Sequence, residues 1–124
     1  RNGRRTYYKT EAGKTQLPYV LLVDGGTASA AEILAEGVQD NEGGLIIGQQ
    51  TYGKGIIQST QQLINGAALK MTTMQYYSPK GTAIHGIGVT PDVTVELSAD
   101  DVDENGDIID RQLEKAMEFF RKVQ

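Results

Sequence analysis

The sequence predicts an α/β fold, and three observations carry that prediction. A short apolar run, "LPYVLLVD" (17–24), gives way after Gly25-Gly26 to the helical periodicity of "TASAAEILAEGVQDN". A second apolar run, "GLIIG" (44–48), follows at the distance expected of a strand, turn, helix, strand unit. Asn65-Gly66 then separates two strand-like stretches, the dipeptide that suits both central positions of a two-residue hairpin turn.

Each element has a local reason. Residues 17–24 read as a buried strand because they are continuously apolar and partly β-branched, with Pro18 near the start and two glycines after the end. The following helix places Ala30, Ile33, Leu34 and Val38 at helical spacing, and Asn41 through Gly44 end it. "IIQSTQQLI" and "AALKMTTMQYY" form the predicted hairpin, and "VTPDVTVEL" (89–97) alternates as one more strand. The tail "IIDRQLEKAMEFFRKV" puts Leu113, Ala116, Met117 and Phe120 on one helical face, with acids early and Arg121 and Lys122 late, as the helix dipole favours.

Composition narrows the function. A chain of 124 residues makes one modest core, and its start at arginine suggests a fragment. With no cysteine and a single histidine, His85, there is neither a disulfide framework nor a thiolate or polyhistidine metal site, and no cofactor is expected. A net charge of −4 gives no general attraction to a polyanion, so nucleic acid is not an expected partner. No apolar run reaches the roughly 20 residues needed to cross a bilayer. Between Thr15 and Pro91 the only basic residues are Lys54, Lys70 and Lys80, which makes Lys54 conspicuous.

Lys54 lies in "GQQTYGKG" (48–55), whose Gly48, Gly53 and Lys54 have the spacing of a phosphate-binding loop. That motif also needs Ser or Thr after the lysine and a helix behind it, whereas Gly55 and a strand-like stretch follow here. A second role for Lys54 is that of a general base whose ammonium loses its proton on burial, with Tyr52, Ile56 and Ile57 excluding water. Ser29, in "SAAE" (29–32), has two readings: a capping box with Glu32, or a nucleophile at a helix mouth with the Ala30 amide facing an oxyanion. His85, in "IHGIG", reads as a solvated turn residue. Asp101, Asp103, Asn105, Gly106 and Asp107 follow the order of a calcium loop, but Gln112 stands where a bidentate glutamate is wanted, so the stretch reads as an acidic turn that starts a helix.

The ordered blocks "VLLVDGGTASAAEILAEGVQDN", "GQQTYGKGIIQS" and "GAALKMTTMQYYSPKGTAIHGIGVTPDV" resemble the latter half of the catalytic domain of the C-terminal processing peptidases, or tail-specific proteases. The resemblance runs from about Leu17 to Leu97. It implies a crotonase and Clp-protease-like core of strand-strand-helix units, present as a partial catalytic domain. Residues 1–97 would belong to the peptidase domain, and 98–124 would be an acidic turn and C-terminal helix of the same domain or an extension. On the family's blocks, Ser29 falls on the nucleophile, Lys54 on the general base, Ala30 on the oxyanion amide, and Gln58 on a glutamine that in some members positions the lysine.

The family's final block serine is Ala31 here, and its upstream glycine-rich segment and PDZ domain lie outside this sequence. The resemblance implies protein or peptide C-termini as substrate, an extracytoplasmic location in periplasm or cell envelope, no cofactor or metal, a possible homo-oligomer, and impaired activity of the isolated piece. A non-catalytic peptide-binding or assembly module that uses exposed strand edges is the alternative from another class. Gln58 carries a geometric condition. A fully extended 54–58 separates the two α-carbons by about 13 Å, whereas a helical turn makes them neighbours.

Overall fold

The computed structural model describes residues 6–7, 13 and 17–123. In chain order the elements are β1 (Val20–Val23), α1 (Ala30–Asp40), β2 (Leu45–Gly48), β3 (Ile56–Gln62), β4 (Ala68–Gln75), β5 (Val93–Thr94) and α2 (Arg111–Val123). Strands β1, β2 and β5 form a parallel sheet in that order, with Val20 opposite Leu45 and Ile47 opposite Val93. A parallel pair requires a crossover, and α1 supplies it between β1 and β2. The core gathers Val23, Ala35, Val38, Ile46 and Val89, with Tyr19 and Leu21 packed against it.

The rotation of α1 differs from the apolar periodicity. Ile33 and Leu34 are exposed, and the buried positions are Glu32, Ala35, Glu36 and Val38. Hydrogen bonds draw the Glu32 side chain inward, and at 100° per residue Ala35 and Glu36 follow it while Ile33 and Leu34 swing out. The strand expected over 89–97 pairs with β2 in register only at Val93 and Thr94, with the Val95 N–H donating to the Gly48 carbonyl at 2.8 Å. Pro91 has no amide to give a ladder, and Asp92 is diverted: its Oδ2 accepts the Ile46 N–H at 2.8 Å and its Oδ1 accepts the Gln39 amide at 2.7 Å.

Strands β3 and β4 form a separate antiparallel hairpin, from Ile56 opposite Gln75 to Gln62 opposite Ala68, with a register shift between Ile57 and Gln58. Its turn is not the two-residue type. Leu63 N–H donates to Ala67 at 2.8 Å, Gly66 N–H donates to Leu63 at 3.0 Å, and Gly66 has φ 81 whereas Asn65 keeps a negative φ. This is a three-residue loop ending in a left-handed glycine, so only the second residue of Asn-Gly uses its conformational freedom. Nearly every hairpin side chain is exposed, and Ile64 at its tip is fully so.

Helix α2 lies against β1 and β2. Asp110 starts it, accepting Leu113 N–H on Oδ1 at 2.9 Å. The helix is turned so that Gln112 and Ala116 are buried, and Leu113 and Met117 are half exposed. Gln112 sets that rotation by donating its side-chain amide to the Val95 carbonyl at 3.1 Å. The acidic segment before it closes on itself: Asp103 Oδ1 accepts the amides of Asn105 and Asp107 at 2.8 and 2.9 Å. These bonds hold the Asp103 carboxyl below its ordinary range, led by the one from Asp107. No group of acids and histidine that could hold a metal ion occurs among the described residues.

Candidate active site

Ser29 and Lys54 lie on the two segments that leave the carboxyl ends of β1 and β2, the end of a parallel sheet where ligands bind in open α/β folds. The β1 segment is organised by Asp24, whose Oδ1 accepts the amides of Gly26 and Thr27 at 2.9 and 2.8 Å. Ser29 then turns the chain into α1 with φ 58 and ψ −116, a conformation that costs a non-glycine residue about 1–3 kcal/mol and persists only where the surroundings impose it. A serine on a sharp, strained turn between strand and helix is the arrangement that exposes a nucleophilic hydroxyl.

What imposes it is Glu32. This carboxylate is fully buried and takes four donors. Oε2 accepts the amides of Ser29 and Lys54 at 2.8 Å each, and Oε1 accepts the Thr51 hydroxyl and the Gly53 amide at 2.6 Å each. Burial pushes the Glu32 carboxyl up, but the hydrogen bonds from Thr51, Gly53, Lys54 and Ser29 outweigh it and hold the group below the ordinary glutamate value. Residues 29 and 32 do have capping-box geometry, and its glutamate half is the Ser29 amide bond. The serine half has the Ser29 side chain facing the Glu32 N–H, which donates to the Ser29 carbonyl at 3.0 Å.

The first turn of α1 leaves one donor over. Ser29 N–H goes to Glu32 and Ala31 N–H to Ala28 at 3.3 Å, while Ala30 N–H has no acceptor among the described residues. An amide beside Ser29 with nothing to bond is suited to a developing oxyanion.

The G-K-G turn is shaped by close approach. A Cβ at Gly55 would lie 2.4 Å from the His85 amide nitrogen, and Gly53, at φ 86, has the amides of Ile87 and Gly88 within 3.2 Å of where its Cβ would stand. Both glycines therefore let the 84–88 loop lie directly against the lysine segment. His85 is an exposed turn residue, as expected, and its Nδ1 lies 3.3 Å from the Gly53 carbonyl. A phosphate loop is not what this turn makes. The Gly53 and Lys54 amides are committed to Glu32, and the strand β3, not a helix, follows.

The water exclusion expected of Tyr52, Ile56 and Ile57 around Lys54 is not found among the described residues. Lys54 is exposed, as is Tyr52, and Ile56 and Ile57 are only half-buried, because nothing in the described chain covers the outer side of the turn. No hydrogen bond joins Lys54 Nζ to Ser29 Oγ among the described residues, so the structure aligns the two backbones without closing the side chains on one another. Gln58 lies in the strand β3, extended from Ile56 onward, and there is no helical turn to bring it to Lys54; the geometric condition for its contact is not met.

Sequence reasoning singled out Glu32 only as a cap and passed over Thr51. A glutamate in the first turn of a helix, close after a glycine turn and facing a second glycine-rich turn, is the signal that could have found the first. A cavity of about 390 Å³ between Pro18, Tyr19, Gly43, Gly44 and Phe119 lies at the opposite, amino end of β1 and β2, away from Ser29.

The site thus consists of a strained serine at the carboxyl end of a parallel α/β sheet, tied through a buried carboxylate to a G-K-G turn. The chain belongs to peptidase family S41, whose family model matches residues 1–95. It is 49% identical over 79 residues to the carboxy-terminal-processing protease of Bartonella bacilliformis, covering 64% of this chain and 18% of that protein. Against the carboxyl-terminal-processing protease of a Synechocystis species the identity is 46% over 82 residues, covering 66% and 19%. Among solved structures, a photosystem II D1 C-terminal processing protease superposes with a TM-score of 0.62 at 44% identity, covering 65% of this chain and 21% of that one. The chain thus spans about a fifth of the length of these relatives.

Proposed function

We propose that this chain carries the nucleophile and general base of a serine endopeptidase acting near protein C-termini, with Ser29 as nucleophile and Lys54 as base. The observation that carries the proposal is the shared Glu32 oxygen, which fixes the strained Ser29 turn and the Lys54 turn to one point. Family membership and the names of the relatives supply the substrate class.

Neutral Lys54 takes the Ser29 Oγ proton as the oxygen attacks the scissile carbonyl carbon, and the carbonyl oxygen becomes an oxyanion facing the Ala30 amide. The C–N bond then breaks, the leaving amine takes the proton from Lys54, and an ester to Ser29 remains. Water, deprotonated by the same lysine, hydrolyses that ester and restores both groups. Burial disfavours the ammonium form of a lysine, so this chemistry requires Lys54 to be covered. The reading therefore places the chain within a longer catalytic domain, whose remainder covers Lys54 and supplies a second oxyanion donor, with a PDZ domain beside it. Residues 98–124 belong to the same unit in this reading, since α2 packs on β1 and β2. An extracytoplasmic setting is part of this reading, and the family resemblance supports it. Gln58 has no part in the machinery proposed here unless the start of β3 rearranges.

Labelling with a serine-reactive fluorophosphonate, on this chain and on the full-length protein, tests the proposal. The full-length protein labels at Ser29 and loses the label in Ser29→Ala and Lys54→Ala, while this chain alone labels weakly or not at all. One observation favours the second reading, a peptide-binding or assembly module: β3 and β4 present two open strand edges with Ile64 bare at the tip. Concentration-dependent association of a full-length protein that cleaves no peptide would support it.

A further inference from the structure

Thr51 is set apart by what its hydroxyl does. The residue is buried, and both functions of the hydroxyl are used: it donates to Glu32 Oε1 at 2.6 Å and accepts the Val89 amide at 2.7 Å. Its backbone amide also donates to the Val89 carbonyl, at 3.2 Å. Thr51 is therefore stitched to the end of the 84–89 loop by main chain and side chain together, and this loop is the one against which Gly53 and Gly55 pack.

The division of labour on Glu32 gives this a consequence. Oε2 carries the amides of Ser29 and Lys54, whereas Oε1 is held by Thr51 and Gly53. A carboxylate can rotate about its terminal torsion, which is broad and soft. With the hydroxyl in place Oε1 is clamped from two sides, and Oε2 has a fixed position. Without it, Oε1 keeps a single donor, and the carboxylate from which both turns hang is held by three hydrogen bonds instead of four.

We propose that Thr51 is a positioning residue that orients the Glu32 carboxylate, and through it the Ser29 and Lys54 turns, for the reaction. This rests on the Ser29 and Lys54 reading. The hydroxyl, not the bulk of the side chain, performs the task. Its donation completes the carboxylate's shell, and its acceptance from Val89 fixes the direction of that donation.

The test uses Thr51→Val, which keeps the shape and cannot donate, and Thr51→Ser, which keeps the hydroxyl. In the full-length protein, Thr51→Val is expected to lower kcat about 10- to 100-fold with KM within about twofold, since small misplacement of reacting groups is costly. Thr51→Ser is expected to stay within about threefold of the parent. The Glu32 carboxyl, followed by NMR in this 124-residue chain, titrates higher in Thr51→Val but not in Thr51→Ser. An unchanged kcat in Thr51→Val overturns the proposal, as does a serine variant as damaged as the valine one, which remains informative if the valine variant does not fold. Cleavage that survives Ser29→Ala overturns the underlying reading instead, and the Glu32 titration then still reports whether Thr51 orients the carboxylate.

Discussion

The backbone amides of Ser29 and Lys54 donate to the same oxygen, Glu32 Oε2, each at 2.8 Å. The two nitrogens therefore lie no further apart than twice that distance, although the residues come from segments after different strands. A single buried charge thus sets the register between the two turns, and most of what can be tested concerns that charge.

Replacing Glu32 by Gln exchanges an acceptor-only carboxylate for a group half of which is a donor, facing amides that need acceptors. The expected loss of stability at pH 7 is about 2–4 kcal/mol, the range for breaking a buried charge-assisted network. Urea unfolding of the chain measures it. Glu32→Ala should lose at least as much.

The dependence on pH has a sign. Because the folded state holds Glu32 below the ordinary glutamate value, its contribution is fully present above the unfolded value of about 4.3. It is lost as pH falls through the folded pKa. Unfolding curves of the parent and Glu32→Gln are expected to converge as pH drops from 5 toward 3.

Glu36, one turn further along α1, has the opposite sign. Burial first, then the charges of Asp40 and Glu32, raise its carboxyl above the ordinary value. Any stability it confers is present at low pH and lost as pH rises through the raised pKa. Glu36→Gln should therefore stabilise the chain at pH 7 by up to about 1 kcal/mol, a tenfold change in proton affinity being worth about 1.4 kcal/mol, and should change nothing near pH 3.5. Thermal melts at the two pH values check this.

Gly55→Ala sets a methyl 2.4 Å from the His85 amide nitrogen, which is backbone and cannot step aside cheaply. A loss of roughly 2–3 kcal/mol is expected from such overpacking, with the 84–89 loop showing the largest gain in amide exchange.

The sequence made the α/β class, the β1, α1, β2 unit and the hairpin readable, because each rests on local periodicity and turn chemistry. Ser29 and Lys54 were singled out as candidates from motif blocks. What escaped depended on tertiary partners. The rotation of α1 follows the hydrogen bonds of Glu32, and that of α2 follows the reach of Gln112 to Val95; neither shows in apolar spacing. Asn65-Gly66 marked a turn, but its length depended on how Leu63 and Ala67 pair. The strand at 89–97 alternates as predicted, yet it meets β2 only from Val93 to Val95. Lys54 was expected to be buried by its sequence neighbours, and no sequence neighbour covers it.

The most direct test of the account is to incubate the full-length protein with a slowly deacylating peptide ester and locate the acyl group by mass spectrometry of its fragments. The account predicts an adduct on Ser29 that does not form in Lys54→Ala. An adduct on another residue, or undiminished acylation without Lys54, would contradict it.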